Sequence, residues 1–193
     1  MKIIGVGCGP GLLTEQAKKE LKKARSAYGS DRAIGLARAY LPGNCAVKSI
    51  DDYKKLPELP DEAVILSTGD PMLAGLGYLR GEVIPGISSL QVTAARLHIP
   101  LSRVAVVVAH GHGHEQGMRD TIEEVQRKRI VFLLADPKFD VPELCRRLAV
   151  LDIPLQVALC ENLAYPDERI IVGDIASPPL PDAPLYSLVI GDF

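Results

Sequence analysis

The 193-residue chain contains no Trp and only three Phe, and aromatic residues make up 5% of it. A core built without them is aliphatic, which suits α/β layers better than an aromatic-rich barrel. Its four cysteines, Cys8, Cys45, Cys145 and Cys160, lie far apart and form no C-x-x-C pair. That spacing argues against both a disulfide scaffold and a zinc ribbon, and predicts reduced, mostly buried thiols of a cytoplasmic protein. No stretch approaches the ~20 apolar residues that span a bilayer, and the strand-like start Met1-Lys2-Ile3-Ile4 lacks the apolar core of a secretion leader. Nor is there an excess of one charge: 22 basic and 24 acidic residues leave a net charge of -2. The chain therefore carries no electrostatic footprint for nucleic acid or an anionic membrane. Internal repeats and low-complexity tails are also missing.

What is present is apolar residue in quantity, 47% of the chain, enough to bury a proper core. The length fits one large domain or two small ones, and the pattern favours two, residues 1–100 and 101–193, with the boundary near Pro100. The first part alternates strand-like runs (Lys2 to Val6, Ser26 to Tyr28, Ala46 to Lys48, Ala63 to Ser67, Glu82 to Ile84) with helical segments. Those helices are expected near Thr14 to Ala24, Asp31 to Tyr40, Met72 to Leu79 and Ser88 to His98. Leu13, Ala17, Leu21 and Ala24 form one apolar stripe at helical spacing, with Lys18, Lys19, Lys22 and Lys23 facing water and Thr14 as N-cap. Strand–helix–strand rhythm implies a parallel sheet covered on both faces. Past Pro100, Val104 to Ala109 is a continuous apolar run, as expected of a strand buried on both faces. A helix from Met118 to Lys128, a strand from Ile130 to Ala135 and a helix from Val141 to Leu151 follow. Three strands without long crossovers come next (Gln156 to Cys160, Arg169 to Val172, Tyr186 to Ile190), so some pairing there should be antiparallel.

Three strand-to-helix turns are rich in glycine. In Ser67-Thr68-Gly69-Asp70-Pro71, Gly69 permits backbone conformations closed to other residues, Asp70 can cap the next helix, and Pro71 suits its first position. Gly5-Val6-Gly7-Cys8-Gly9-Pro10-Gly11 and Pro85-Gly86-Ile87-Ser88-Ser89 follow the same plan, and such turns at strand carboxyl ends are where α/β proteins bind ligands. The first turn is not a dinucleotide fingerprint, because Pro10 or Leu12 stands where G-x-G-x-x-G needs its last glycine, and it is not a P-loop. It reads as a tight turn or as one that also lines a cleft. His110-Gly111-His112-Gly113-His114 follows a strand and reads as a metal site, a substrate-contacting loop or a solvated loop. His98 precedes Pro100 at a helix end and reads as a dipole partner. Ser88 and Ser89 fit capping and ligand contact better than nucleophilic catalysis, since no G-x-S-x-G surrounds them. Glu161 and Asn162 close a strand and read either as binding residues or as surface polarity.

Taken in order, Gly5-Val6-Gly7-Cys8-Gly9-Pro10 with Leu13-Thr14, then Gly69-Asp70-Pro71, then Pro85-Gly86-Ile87-Ser88-Ser89, resemble three signatures of the tetrapyrrole methylase family. Glu161-Asn162-Leu163 with Tyr165-Pro166 and Glu168-Arg169-Ile170 resembles a fourth, so the likeness runs over nearly the whole chain. The resemblance implies an α/β fold of two domains, the N-terminal one mainly parallel and the C-terminal one with a mixed sheet, with a cofactor cleft between them. It also implies an S-adenosyl-L-methionine-dependent methyltransferase, usually a homodimer, acting on a tetrapyrrole (corrinoid precursor). Chain length and the His110-Gly111 pair resemble the branch of the family that methylates carbon 5 of cobalt-precorrin-7 in cobalamin biosynthesis. In that branch a carbon-15 methyltransferase and decarboxylase can be a separate subunit, which is expected here because the chain stops at Phe193.

Matching of motif positions implies cofactor contacts at Cys8, Gly69, Asp70, Leu73, Ser88 and Ser89, together with Ala135 and Ala164. Substrate contacts are implied at Pro10, His110 and His112, with Arg96, Arg103 and Arg119 as cations for substrate carboxylates. Neither a catalytic acid–base residue nor a bound metal is implied. A sulfonium cofactor brings an activated methyl group, so alignment and water exclusion carry most of the chemistry. Two other readings remain at this point: a related methylase acting in diphthamide synthesis, and a non-catalytic metal- or tetrapyrrole-binding protein suggested by the spaced histidines.

Overall fold

Alternate apolar residues set the first sheet. The structure, a computed structural model describing residues 1–110 and 113–193, runs β1 (Lys2–Gly5), α1 (Glu15–Leu21), β2 (Ser26–Gly29), α2 (Asp31–Ala37), β3 (Ala46–Ser49), β4 (Val64–Ser67), α3 (Pro71–Ala74) and β5 (Glu82–Ile84) in its first half. These five strands are all parallel in the order β3-β2-β4-β1-β5. Ile3 pairs with Ile65 and Ile4 with Leu66, so neighbouring residues point to opposite faces. Ile4, Val64, Leu66 and Ile84 pack with Ala17, Leu21, Ala33 and Ala37 of α1 and α2. On the other face Ile3 and Ile65 pack with Leu56, Leu76 and Leu79. Burying each such Ile or Leu contributes about 1.5–3 kcal/mol, and both faces share in it.

Helix α1 begins where Thr14 was expected to cap it: Oγ1 accepts the Ala17 N–H at 3.1 Å. Leu13, Ala17, Leu21 and Ala24 are all buried. The helix expected over Met72 to Leu79 is instead the single turn α3. Gly75 leaves helical geometry (φ -112°, ψ -134°), and a Cβ there would lie 2.5 Å from Ser67 Oγ. The close approach to Ser67 turns the chain away before a second helical turn can form.

The second half runs α4 (Ser89–Arg96), β6 (Val104–Ala109), α5 (His114–Gln126), β7 (Ile130–Ala135), α6 (Val141–Ala149), β8 (Gln156–Glu161), β9 (Arg169–Asp174) and β10 (Tyr186–Gly191). Its sheet has the order β6-β7-β10-β8-β9; β6 and β7 are parallel and the other pairs antiparallel. Val107, Val131, Leu133, Leu159 and Leu188 form a core with Met118 of α5 and Leu144 and Leu148 of α6. One expectation fails here. β6 is not buried on both faces: it is an edge strand, with Val106 42% and Val108 44% exposed. The apolar run alone cannot tell a central strand from an edge strand that carries valine outward.

The chain divides into two compact units, Met1–Ser89 and Leu90–Phe193, so the division falls after the first residue of α4. Side-chain contacts explain this. Thr93 lies against the Cys160 thiol of β8, and Arg96 pairs with Glu168, which ties α4 to the second sheet.

Candidate functional site

Because β1 lies between β4 and β5, the carboxyl ends of these three parallel strands are neighbours, and the three glycine turns leave from them side by side. Gly7 N–H donates to the Gly69 carbonyl at 3.3 Å, and Gly69 N–H donates to the Gly7 carbonyl at 2.8 Å. Cys8 N–H donates to the Ile87 carbonyl at 2.9 Å, bringing in the third turn. A Cβ on Gly86 would lie 2.2 Å from the Gly69 carbonyl oxygen, and one on Gly5 2.5 Å from Gly86 N, so the turns touch main chain to main chain. Gly69 differs. Its φ of +72° belongs to the left-handed region, and a Cβ there would find only Ser88 Cα, at 3.8 Å. Open space lies over Gly69, as it does over Gly11 of the first turn.

Asp70 joins two of the turns. Its Oδ1 accepts the Met72 N–H at 2.8 Å, capping α3, and its Oδ2 accepts the Gly86 N–H at 3.0 Å. Sequence reasoning predicted the cap but not the bond to Gly86, 16 positions away. Leu73 donates its N–H to the Asp70 carbonyl at 3.2 Å and is half-buried. Cys8 and Ser88 are buried, Ser89 is half-buried at the start of α4, and Pro10 is exposed.

In the second unit Ala109 of β6 pairs with Ala135 of β7, and β8 runs in the same direction as β7 across β10. Ala135, His110 and the turn holding Ala164 therefore leave the sheet at the same edge. Ala164 has a φ of +65°, and its N–H donates to Glu168 Oε2 at 2.6 Å. His110 is exposed, and His112 lies outside the described residues. Among the described residues no three His, Cys, Asp or Glu gather as a metal ligand set.

The three arginines expected to meet substrate carboxylates have protein partners. Arg96 Nε donates to Glu168 Oε1 at 2.7 Å, Arg103 Nη2 to the Asp192 carbonyl at 3.0 Å, and Arg119 Nη2 to Gln116 Oε1 at 2.7 Å. Arg96 and the Ala164 N–H hold the Glu168 carboxyl below the usual range, against the opposing effect of burial. Glu161 is structural as well. Burial pushes its carboxyl up, but Arg169 Nε at 2.5 Å and the N–H groups of Ala183 and Asp182 more than offset this and hold it low. His98 follows α4 with φ +55°, and the next N–H, from Ile99, reaches the Ala94 carbonyl at 2.9 Å. Sequence reasoning missed two groups at the same sheet edge, Asp136 and Tyr186. His114 Nε2 lies 2.9 Å from Asp136 Oδ2, and the Tyr186 hydroxyl donates to the Asp136 carbonyl at 2.8 Å. An acidic residue directly after a β-strand was the only available signal.

The family of tetrapyrrole (corrin/porphyrin) methylases matches residues 2–179. The chain is a tetrapyrrole methylase. It is accordingly an S-adenosylmethionine-dependent methyltransferase, with the two-domain fold of that family. This methylase is 29% identical over 185 residues, 86% of it and 85% of the relative, to a probable cobalt-precorrin-7 C(5)-methyltransferase of Methanocaldococcus jannaschii. It also resembles the crystal structure of a cobalamin biosynthesis precorrin-6Y methylase from Archaeoglobus fulgidus, at 30% identity and a TM-score of 0.78, covering 100% of this chain and 97% of that one. A uroporphyrin-III C-methyltransferase from Thermus thermophilus, solved with S-adenosylhomocysteine, shares the fold at 21% identity and a TM-score of 0.70, covering 99% and 96%. No helix among the described residues of the methylase is long and apolar enough to cross a membrane.

The turns of the first sheet fit such a cofactor. The space over Gly69 is a cradle that a side chain would fill, with Ser88 Cα its nearest neighbour at 3.8 Å.

Proposed function

We propose that this methylase transfers the methyl group of S-adenosylmethionine to carbon 5 of cobalt-precorrin-7 in cobalamin biosynthesis. The observation that supports the reading is near-full-length similarity, at 29% and 30% identity, to a probable cobalt-precorrin-7 C(5)-methyltransferase and to a cobalamin biosynthesis precorrin-6Y methylase. Cys8, Gly69, Asp70, Leu73, Ser88 and Ser89 hold the cofactor in this reading, with Ala135 and Ala164 from the second unit. Pro10, His110 and His112 contact the corrinoid. When bound, S-adenosylmethionine supplies a methyl group already activated on a sulfonium. The protein's share is orientation. Cross-bonded turns keep Gly69 open, Asp70 fixes the Gly86 turn, and the Glu168 carboxylate fixes the N–H of Ala164. Groups held in this way lower the barrier by prior alignment rather than by acid–base strength.

A homodimer is part of the proposal, supported by the exposed valines of the β6 edge, a surface that favours covering. Sedimentation at micromolar concentration is expected to give twice the chain mass. For the main reading, calorimetric titration with S-adenosylhomocysteine should give saturable binding, and no binding at millimolar ligand would overturn the cofactor assignment. Methyl transfer to cobalt-precorrin-7, followed by mass, tests the substrate. A protein that binds S-adenosylhomocysteine yet leaves that corrinoid unmethylated would refute it.

A further inference from the structure

We propose that the buried hydroxyls of Thr93 and Ser187 hold an internal water molecule between α4 and the second sheet. Both residues are sealed from solvent, at 2% exposure each, and neither hydroxyl oxygen meets a hydrogen-bond partner among the described residues. A hydroxyl buried in this way forfeits its hydration unless something replaces it. The strand register brings the two together. Leu159 and Leu188 pack with α5 and α6 on one face of the sheet, so their chain neighbours Cys160 and Ser187 point to the other. Cys160 and Ser187 are directly paired across antiparallel β8 and β10, and Thr93 of α4 lies against the Cys160 thiol. Both orphaned hydroxyls therefore flank one thiol.

The usual protein partners are closed to them. A helical threonine can turn its hydroxyl to the carbonyl four residues back, as Thr121 of α5 does to Gly117 at 2.7 Å. Thr93 does not make that bond. Ser187 and Cys160 lie on β10 and β8, interior strands whose main-chain groups bond to neighbouring strands on both sides. What remains is three polar atoms gathered on one face, Thr93 Oγ1, Ser187 Oγ and Cys160 Sγ. An internal water typically makes about three hydrogen bonds to buried groups of this kind. The thiol, pushed up to about 11 by burial, keeps its proton and can donate weakly, while each hydroxyl can donate or accept. Room for the water comes from small side chains, since Ala158, Cys160 and Ser187 share this face and all are buried. The water pins α4 to the interior of the sheet, a second anchor besides the ion pair of Arg96 with Glu168 at the end of the helix.

A crystal structure of the unsubstituted protein that shows ordered solvent should place a water within about 3.2 Å of both Thr93 Oγ1 and Ser187 Oγ. Thermal scans of T93V, S187A and the double variant T93V/S187A supply a second arm. T93V keeps the shape of the side chain and removes only its hydroxyl, so its melting temperature reads the hydroxyl alone. With the water held, T93V and S187A each take away one of its partners, and each should melt about 2–4 °C below the parent. The double variant should then fall by less than the sum of the two, because both act on the same water. T93S retains the hydroxyl and should retain the solvent peak. In a dry site, by contrast, T93V removes an unsolvated polar group and melts at or above the parent. Absence of the solvent peak, or T93V melting at or above the parent, overturns the inference. Neither result touches the proposed function, which the S-adenosylhomocysteine titration tests separately.

Discussion

Replacing Asp70 by Ala removes two bonds at once, and the structure sets the size of each loss. The Oδ1 contact to Met72 N–H at 2.8 Å is a helix cap, worth about 1 kcal/mol at an exposed position. The Oδ2 contact to Gly86 N–H at 3.0 Å is partly buried and accepted by a charged group, worth roughly 1.5–2 kcal/mol. Together they come to about 2.5–3 kcal/mol, which for a chain of this size lowers the melting temperature by roughly 5–12 °C. Asp70→Asn keeps one accepting oxygen and should lose about half as much. Thermal scans by circular dichroism read the stability arm, and calorimetric titration with S-adenosylhomocysteine reads the binding arm. If Asp70 works by holding the Gly86 turn against the Gly69 turn, the two arms fall together and D70N lies between D70A and the parent. A D70A protein that melts within about 2 °C of the parent and binds the ligand normally would refute the reasoning. Lost binding at unchanged stability would mean that the carboxylate touches the ligand rather than organising the turns.

Gly86→Ala would place a Cβ 2.2 Å from the Gly69 carbonyl and should destabilise by about 3 kcal/mol or more. Gly69→Ala meets nothing nearer than 3.8 Å and should cost only the ~1–2 kcal/mol of its positive φ, yet lose ligand affinity because the methyl fills the cradle; urea melts and calorimetry separate the two. The Glu161 carboxyl is held below its unfolded value, so its contribution is present above the unfolded pKa of about 4.3 and is lost as the pH falls through the lowered folded value. Acid titration of E161Q should accordingly show a shallower loss of stability in that window. Tyr186→Phe should cost about 1 kcal/mol in urea, the worth of its bond to the Asp136 carbonyl. Burial pushes the Cys145 and Cys160 thiols up to about 11, so at pH 8 both should resist a thiol reagent until the protein is unfolded.

Wherever the signal was local, the sequence foretold the fold closely. Thr14, Asp70 and Pro71 mark helix starts through bonds spanning two or three residues, and the apolar stripe of α1 declares its buried face. β5 at Glu82–Ile84 was legible from the turns around it. Non-local matters escaped. The valines of β6 read as doubly buried because nothing in a strand's own residues reports whether another strand lies beyond it. Helix α3 stops at Ala74 because Gly75 must pass Ser67, a contact set by tertiary packing. The motif positions were legible as turns, but their cross-bonding through Asp70 and Gly86 depends on strand order. Asp136 and His114 were hidden for the same reason, since only the parallel pairing of β6 and β7 brings them together.

The contact of Gly5, Gly69 and Gly86 through main-chain atoms restricts how this enzyme can change over time. Turns that meet through side chains can be retuned one substitution at a time, whereas here a methyl added at Gly5 or Gly86 collides with backbone. Mutational drift must therefore be carried by residues around Gly5 and Gly86, while those two positions stay glycine for as long as the fold survives.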